Sequence, residues 1–173
     1  GGFTAGLNDD FHSYTFVDIE RTLKDVSEQY FLGQKLSPNK NFVVQDASQF
    51  LKNTPKKYDL ILLDVYSNSF QVPEDLITAE FMVRIRNCVR DGGIVLMNMI
   101  THPSFDDVYT RVFDNTFHQV FTHNTGRQVI GFMDPWSGDN MPSNIIYTYY
   151  HRPNDGRIYT TNKTPVIYDR YHK

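Results

Sequence analysis

With a single cysteine, Cys88, in 173 residues, the chain has no intramolecular disulfide and no zinc cage built on thiolates. Long apolar runs are also missing: none approaches the roughly 18–20 residues a membrane-spanning helix needs. No signal-peptide pattern opens residues 1–173, so a cytoplasmic protein without a membrane partner is expected. Basic residues are not in excess, since 17 Lys+Arg stand against 20 Asp+Glu for a net charge of −3. Without a Lys/Arg cluster, the electrostatic footprint of a nucleic-acid binder is absent. His118 and His123 have no acid cluster beside them, so no metal is expected. What is present is ordinary globular material, 40% hydrophobic and 21% charged, at a length suited to one domain with a real core.

Along the chain, strand-like and helix-like segments alternate. Residues 14–20 are β-branched and aromatic and end in acids, which predicts a strand. Residues 22–31 place Leu23, Val26, Tyr30 and Phe31 on one helical stripe, closed by Gly33 and Pro38. A short strand is predicted over 41–46 and a short helix over 47–52. Four consecutive apolar residues, Leu60 to Leu63, stand before Asp64, the pattern of a strand buried on both faces of a parallel sheet. A polar loop follows over 65–73. Thr78 is the expected N-cap of a helix carrying Phe81, Ile85, Cys88 and Val89 on its apolar stripe. Asp91-Gly92-Gly93 reads as a turn, 94–100 as a second buried strand, and 104–116 as a helix. Strands over 128–133 and 144–151 are joined by a loop at 134–139, and Tyr147, Tyr149 and Tyr150 read as sheet packing. The end, 152–173, reads as an irregular tail. The pattern implies an α/β doubly wound, mostly parallel sheet with an antiparallel C-terminal element.

In such sheets ligands bind beyond the carboxyl ends of the parallel strands. Asp18, Asp46 and Asp64 stand at the ends of the first three predicted strands, and Asn98 stands near the end of the fourth. Each acid alone could simply cap the following helix. Together, behind the glycine-rich Gly1-Gly2-Phe3-Thr4-Ala5-Gly6, they suggest a nucleoside site. Gly1, Gly2 and Gly6 would form a turn whose backbone approaches the ligand. Asp18 would accept from ribose hydroxyls and Asp46 from an adenine amine, with small Ala47 leaving room for the ring. No Lys or Arg is placed for a pyrophosphate, which favours a nucleoside without phosphates. Tyr66 and Phe70 could line a substrate pocket.

Four blocks carry a family resemblance: residues 41–51 (NFVVQDASQFL), 58–64 (YDLILLD), 73–81 (PEDLITAEF) and 91–98 (DGGIVLMN). In this order and spacing they resemble the spermidine synthase (polyamine aminopropyltransferase) family, more closely its divergent bacterial spermidine-synthase-like branch. Ile158-Tyr-Thr160 with Thr164-Pro-Val166 is similar to that family's C-terminal signature. The resemblance implies a Rossmann-like methyltransferase core that takes S-adenosylmethionine or decarboxylated S-adenosylmethionine as co-substrate, without a metal. It puts the Gly1–Gly6 loop under the sulfonium and Asp64 at the catalytic-base position. The partner it implies is a small-molecule amine, and it allows a homodimer. It also implies a first strand in mid-sheet, between those ending at Asp18 and Asp64. Residues 1–173 are therefore expected to be one spermidine-synthase-like catalytic domain that begins a strand late, as an N-terminally truncated piece.

Two departures matter. Ser67 stands where the family has a second aspartate holding the substrate amine, which puts a diamine acceptor in question, and Asn162 replaces an acid of the tail signature. Three readings follow: an aminopropyl transferase, an S-adenosylmethionine-dependent methyltransferase on another acceptor, or a catalytically silent adenosyl-binding or assembly domain.

Overall fold

A computed structural model describes residues 2–7, 9–66, 72–130 and 142–153. Four parallel strands carry the architecture: β1 (Tyr14–Asp18), β2 (Lys40–Val44), β3 (Tyr58–Leu63) and β4 (Val89–Thr101). Helix α1 is a single turn over Gly2–Gly6, and α2 (Leu23–Val26) runs into a π-helical stretch over Ser27–Leu32. Helices α3 (Ala47–Asn53), α4 (Ala79–Cys88) and α5 (Val108–Val120) follow, and β5 (Thr125–Ile130) and β6 (Ser143–Tyr150) complete the described elements. The strands form two sheets, a parallel pair β1-β2 and a four-stranded sheet in the order β3-β4-β6-β5. β3 and β4 are parallel, whereas β6 pairs antiparallel with both β4 and β5. This is the α/β, Rossmann-like arrangement with an antiparallel C-terminal element that the alternating pattern implied. Among the described residues, no helix is long and apolar enough to cross a membrane.

Helix starts follow local chemistry. Asp46, Thr78 and Asp107 are N-caps whose side chains accept from the backbone N–H groups of Gln49, Phe81 and Thr110, at 2.8, 3.2 and 2.8 Å. The last of these starts α5 four residues later than the predicted 104.

The core lies on one face of the four-stranded sheet. Val95, Met97 and Met99 of β4 and Ile145, Tyr147 and Tyr149 of β6 are buried in one cluster with α4 and α5. Cys88 sits there as a buried free thiol, and burial pushes its pKa up. On the opposite face Leu60 and Leu62 of β3 remain half exposed, at 51% and 50%.

β1 and β3 do not pair with each other. An apolar cleft of about 150 Å³ runs between them, lined by Thr15 and Val17 on one side and by Leu60 and Leu62 on the other, with Ala47 and Leu51 of α3 beneath. Among the described residues, nothing pairs with the facing edges of these strands, which are the two that the resemblance sets on either side of a further strand.

Three local expectations are corrected. The stretch 22–31 is helical, but its supposed core stripe faces outward: Tyr30 and Phe31 are 71% and 81% exposed. The π-helical turn holds more residues per turn, which rotates a stripe spaced at three and four residues away from one face. Glu28 is buried instead, bonded to Lys35 Nζ at 2.7 Å and to the Leu36 N–H at 3.0 Å, with Lys24 at 3.3 Å. Gly33, at φ +63°, lets the chain fold back to bring these donors round. The second correction concerns Asp91-Gly92-Gly93, which is a bulge inside β4 rather than a turn before it. Tyr58 pairs with Val89 and Leu60 with Ile94, so two steps on β3 face five on β4. Gly92 has φ +82°, and a Cβ on Gly93 would stand 2.7 Å from Val89 Cγ1 and 2.9 Å from the Arg90 carbonyl oxygen. Third, Gly2–Gly6 is helical rather than an open turn. The Lys40 ammonium donates to the carbonyls of Ala5 (2.8 Å) and Leu7 and so satisfies the end of α1. Gly1 lies outside the described residues.

The Glu28 network carries a pH prediction. Lys35 first, then the Leu36 N–H, hold the carboxyl down at about 2 against an ordinary 4.5, with burial opposing them. A lowered folded-state pKa stabilises fully above the unfolded value and is lost as pH falls through the folded one. Glu28→Gln is therefore expected to lower Tm at neutral pH. Thermal unfolding across a pH series should show the gap to the unmodified chain narrowing below pH 4.5 and closing near pH 2.

Candidate functional site

The rim at the carboxyl ends of the strands gathers the predicted acids in two groups. Asp18 is the last residue of β1, and its carbonyl accepts from the Gln45 N–H at 2.9 Å, which ties the ends of β1 and β2 together. Asp18 Oδ1 accepts from the Glu20 N–H at 2.8 Å, and Asp46 Oδ1 is occupied by its capping bond to Gln49. Among the described residues, nothing donates to the second oxygen of either acid. Capping therefore uses one oxygen of the Asp46 carboxylate. Ala47 follows it at the start of α3 and lines the cleft.

Asp64 stands across the cleft, directly after β3, with an exposed side chain. Its Oδ1 accepts from Asn98 Nδ2 at 3.0 Å. The Tyr66 hydroxyl donates to the Asn98 carbonyl at 3.0 Å. Burial first, then the Asp64 carboxylate, then Tyr109 push the Tyr66 phenol well above the usual tyrosine range, so it remains a neutral donor. Tyr109, near the start of α5, accepts from the Val72 N–H at 3.2 Å and helps close this side of the rim. Ser67 and Phe70 lie outside the described residues.

The structure thus sets Asp18, Asp46 and Ala47 on one side of the cleft and Asp64 and Tyr66 on the other. The sequence reading assigned no role to Asn98 or Tyr109. For Asn98 a signal existed: it is the single polar residue between Ile94 and Ile100. Tyr109 gave none, because its contact with Val72 spans 37 residues. Tyr147 and Tyr149 pack in the sheet core as read, fully buried and nearly so, whereas Tyr150 at the end of β6 is 42% exposed. His118 lies 3.7 Å from Asp114 and edge-on to the Phe117 ring.

Parallel strands alternating with helices, with acids at their carboxyl ends, place the chain in the class of Rossmann-like α/β folds. The family is set by comparison. The family model described as the spermine/spermidine synthase domain matches residues 8–130, and the chain belongs to that family. The polyamine aminopropyltransferase of Vibrio vulnificus is 27% identical over 121 residues, covering 66% of this chain and 40% of that one. The chain spans about two fifths of the length of the curated relatives it matches. A probable spermidine synthase from Corynebacterium glutamicum has a similar solved structure, with TM-score 0.60 and 23% identity over 87% of this chain and 50% of that one. Human methyltransferase-like protein 13, solved in complex with SAH, gives TM-score 0.62 at 13% identity over 92% of this chain and 82% of that one. At these identities the structural likeness establishes the fold.

Proposed function

We propose that the protein transfers an aminopropyl group from decarboxylated S-adenosylmethionine to a small amine. The observation that carries this reading is the exposed carboxylate of Asp64, tethered through one oxygen directly after β3, while Asp18 ends β1 and Asp46 follows β2, the strand pair beyond the cleft. Both free oxygens on the far side are acceptors, which suits the hydroxyls of a ribose (Asp18) and the exocyclic amine of adenine (Asp46). Half-buried Ala47 offers little bulk against a flat ring. The α1 turn, with Gly2 and Gly6, is the candidate for the sulfonium side.

The co-substrate supplies a carbon activated by its bond to a sulfonium. As the amine nitrogen bonds to that carbon, the carbon–sulfur bond breaks, methylthioadenosine leaves with the electron pair, and a proton must leave the nitrogen. Asp64 takes that proton. Tyr66, held neutral, keeps its hydroxyl on the Asn98 carbonyl and does not compete for it.

A thermal-shift panel tests the reading. Decarboxylated S-adenosylmethionine and methylthioadenosine are expected to raise Tm, and Asp18→Ala to weaken their binding roughly 10- to 100-fold, the worth of hydrogen bonds to a charged acceptor. An Asp18→Ala protein that binds as tightly as the unmodified one removes the ribose assignment. Mass spectrometry of the acceptor then separates aminopropyl from methyl transfer.

A further inference from the structure

On the open face of β4 the side chains run Ile94, Leu96, Asn98, Ile100. Asn98 is opposite Ile146 of β6, so its strand neighbours and this cross-strand partner are all aliphatic. An amide gains nothing from such packing. It also carries a cost, because Asn98 Oδ1 is buried and no donor among the described residues reaches it. The rest of the residue is committed to the segment after β3. Its Nδ2 donates to Asp64 Oδ1 at 3.0 Å, and its carbonyl accepts the Tyr66 hydroxyl at 3.0 Å. The reverse amide orientation would set a carbonyl oxygen against the carboxylate, so the charge of Asp64 fixes which end of the amide faces it.

We propose that Asn98 is a positioning residue for Asp64: its N–H occupies Oδ1 and leaves Oδ2 as the oxygen that meets the acceptor amine and receives its proton. The inference rests on the reading of Asp64 as the base. An exposed carboxylate at a strand end turns freely about its last torsion, whereas one held by a residue inside the sheet keeps a single lone-pair direction. At Asn98 β4 is paired with Ile146 of β6, and the residue before it, Met97, is paired with Leu63 of β3, which makes Asn98 a rigid mount. The oxygen left over is acceptor-only, so the site takes an acceptor with an N–H to give up, a primary or secondary amine.

Three substitutions separate positioning from packing. Asn98→Asp keeps the shape and removes the donor, Asn98→Leu matches the aliphatic neighbours, and Asn98→Gln keeps a donor. The first two are expected to lower kcat about 10- to 10²-fold, as misplacement of a catalytic group does. KM for decarboxylated S-adenosylmethionine and the thermal shift it induces should stay unchanged, and Asn98→Gln should recover part of kcat. In an Asp64→Asn background, Asn98→Leu should add no further loss. If Asp64→Asn is slow while Asn98→Leu and Asn98→Asp turn over like the unmodified protein, the positioning role is overturned and the base stands. If Asp64→Asn turns over normally, the base assignment fails, and the positioning role with it. Loss of the ligand-induced shift in all three Asn98 variants would make Asn98 a packing residue and overturn the proposal.

Discussion

Asp64→Asn is expected to slow aminopropyl transfer about 10²–10⁴-fold, the usual worth of a positioned general base. Asparagine has nearly the same volume and can still meet Asn98 through its carbonyl oxygen, so the end of β3 should keep its shape. What it cannot do is take a proton. The ligand-induced thermal shift is expected to survive, because Asp18 and Asp46 stand at the end of the other strand pair and are bonded to the Glu20 and Gln49 N–H groups rather than to Asp64. Single-turnover measurement of product with decarboxylated S-adenosylmethionine and a primary amine reads the chemical step directly. A variant within a few-fold of the unmodified rate would leave the amine to lose its proton to solvent and would take Asp64 out of the base role.

The largest expected stability effect is at Phe117, far from that rim. Its ring is fully buried, 4.9 Å from Tyr147, 4.8 Å from Phe121 and 6.3 Å from Phe113, centroid to centroid. These contacts pin α5 to β6, the strand that holds the open flank of β4. Truncation to alanine removes the ring and leaves a void that neighbours locked in an aromatic cluster cannot close. Phe117→Ala should therefore cost about 3–5 kcal/mol. Against a total stability of about 5–15 kcal/mol for a typical domain, such a loss brings the chain near unfolding. Urea denaturation checks it, with Val112→Ala on the same helix as control. Val112 is 53% exposed, and its change should stay within about 0.5 kcal/mol.

The split between what could be read and what could not follows the range of the interactions. Caps are local, so Asp46 and Thr78 could be placed from their neighbours in sequence. The unbroken run from Leu60 to Leu63 is likewise local, and the four-block order was specific enough to point to the family. Long-range contacts decided the rest. Glu28 is buried because Lys35 and the Leu36 N–H return across Gly33 to meet it, and no periodicity within 22–31 encodes that return. The Asp91–Gly93 bulge exists because β4 pairs with both β3 and β6, and His151 bonds to Gly92 and Gly93 at 2.7 and 2.8 Å. Asn98 could be counted as a strand-end residue, but its bond to Asp64 joins positions 34 apart, brought level only by the parallel register of β3 and β4.

By itself, the amino-acid sequence determined the alternation of strands and helices, the acids that end the strands and the family, because these rest on neighbours a few residues apart or on motif order. Only the tertiary structure decided which oxygen of each acid is already spent, that a cleft separates Asp18 and Asp46 from Asp64, and that an asparagine inside the sheet holds the carboxylate. Hydrogen-bond partners are allotted by strand register and crossover, and those are settled when the sheets assemble.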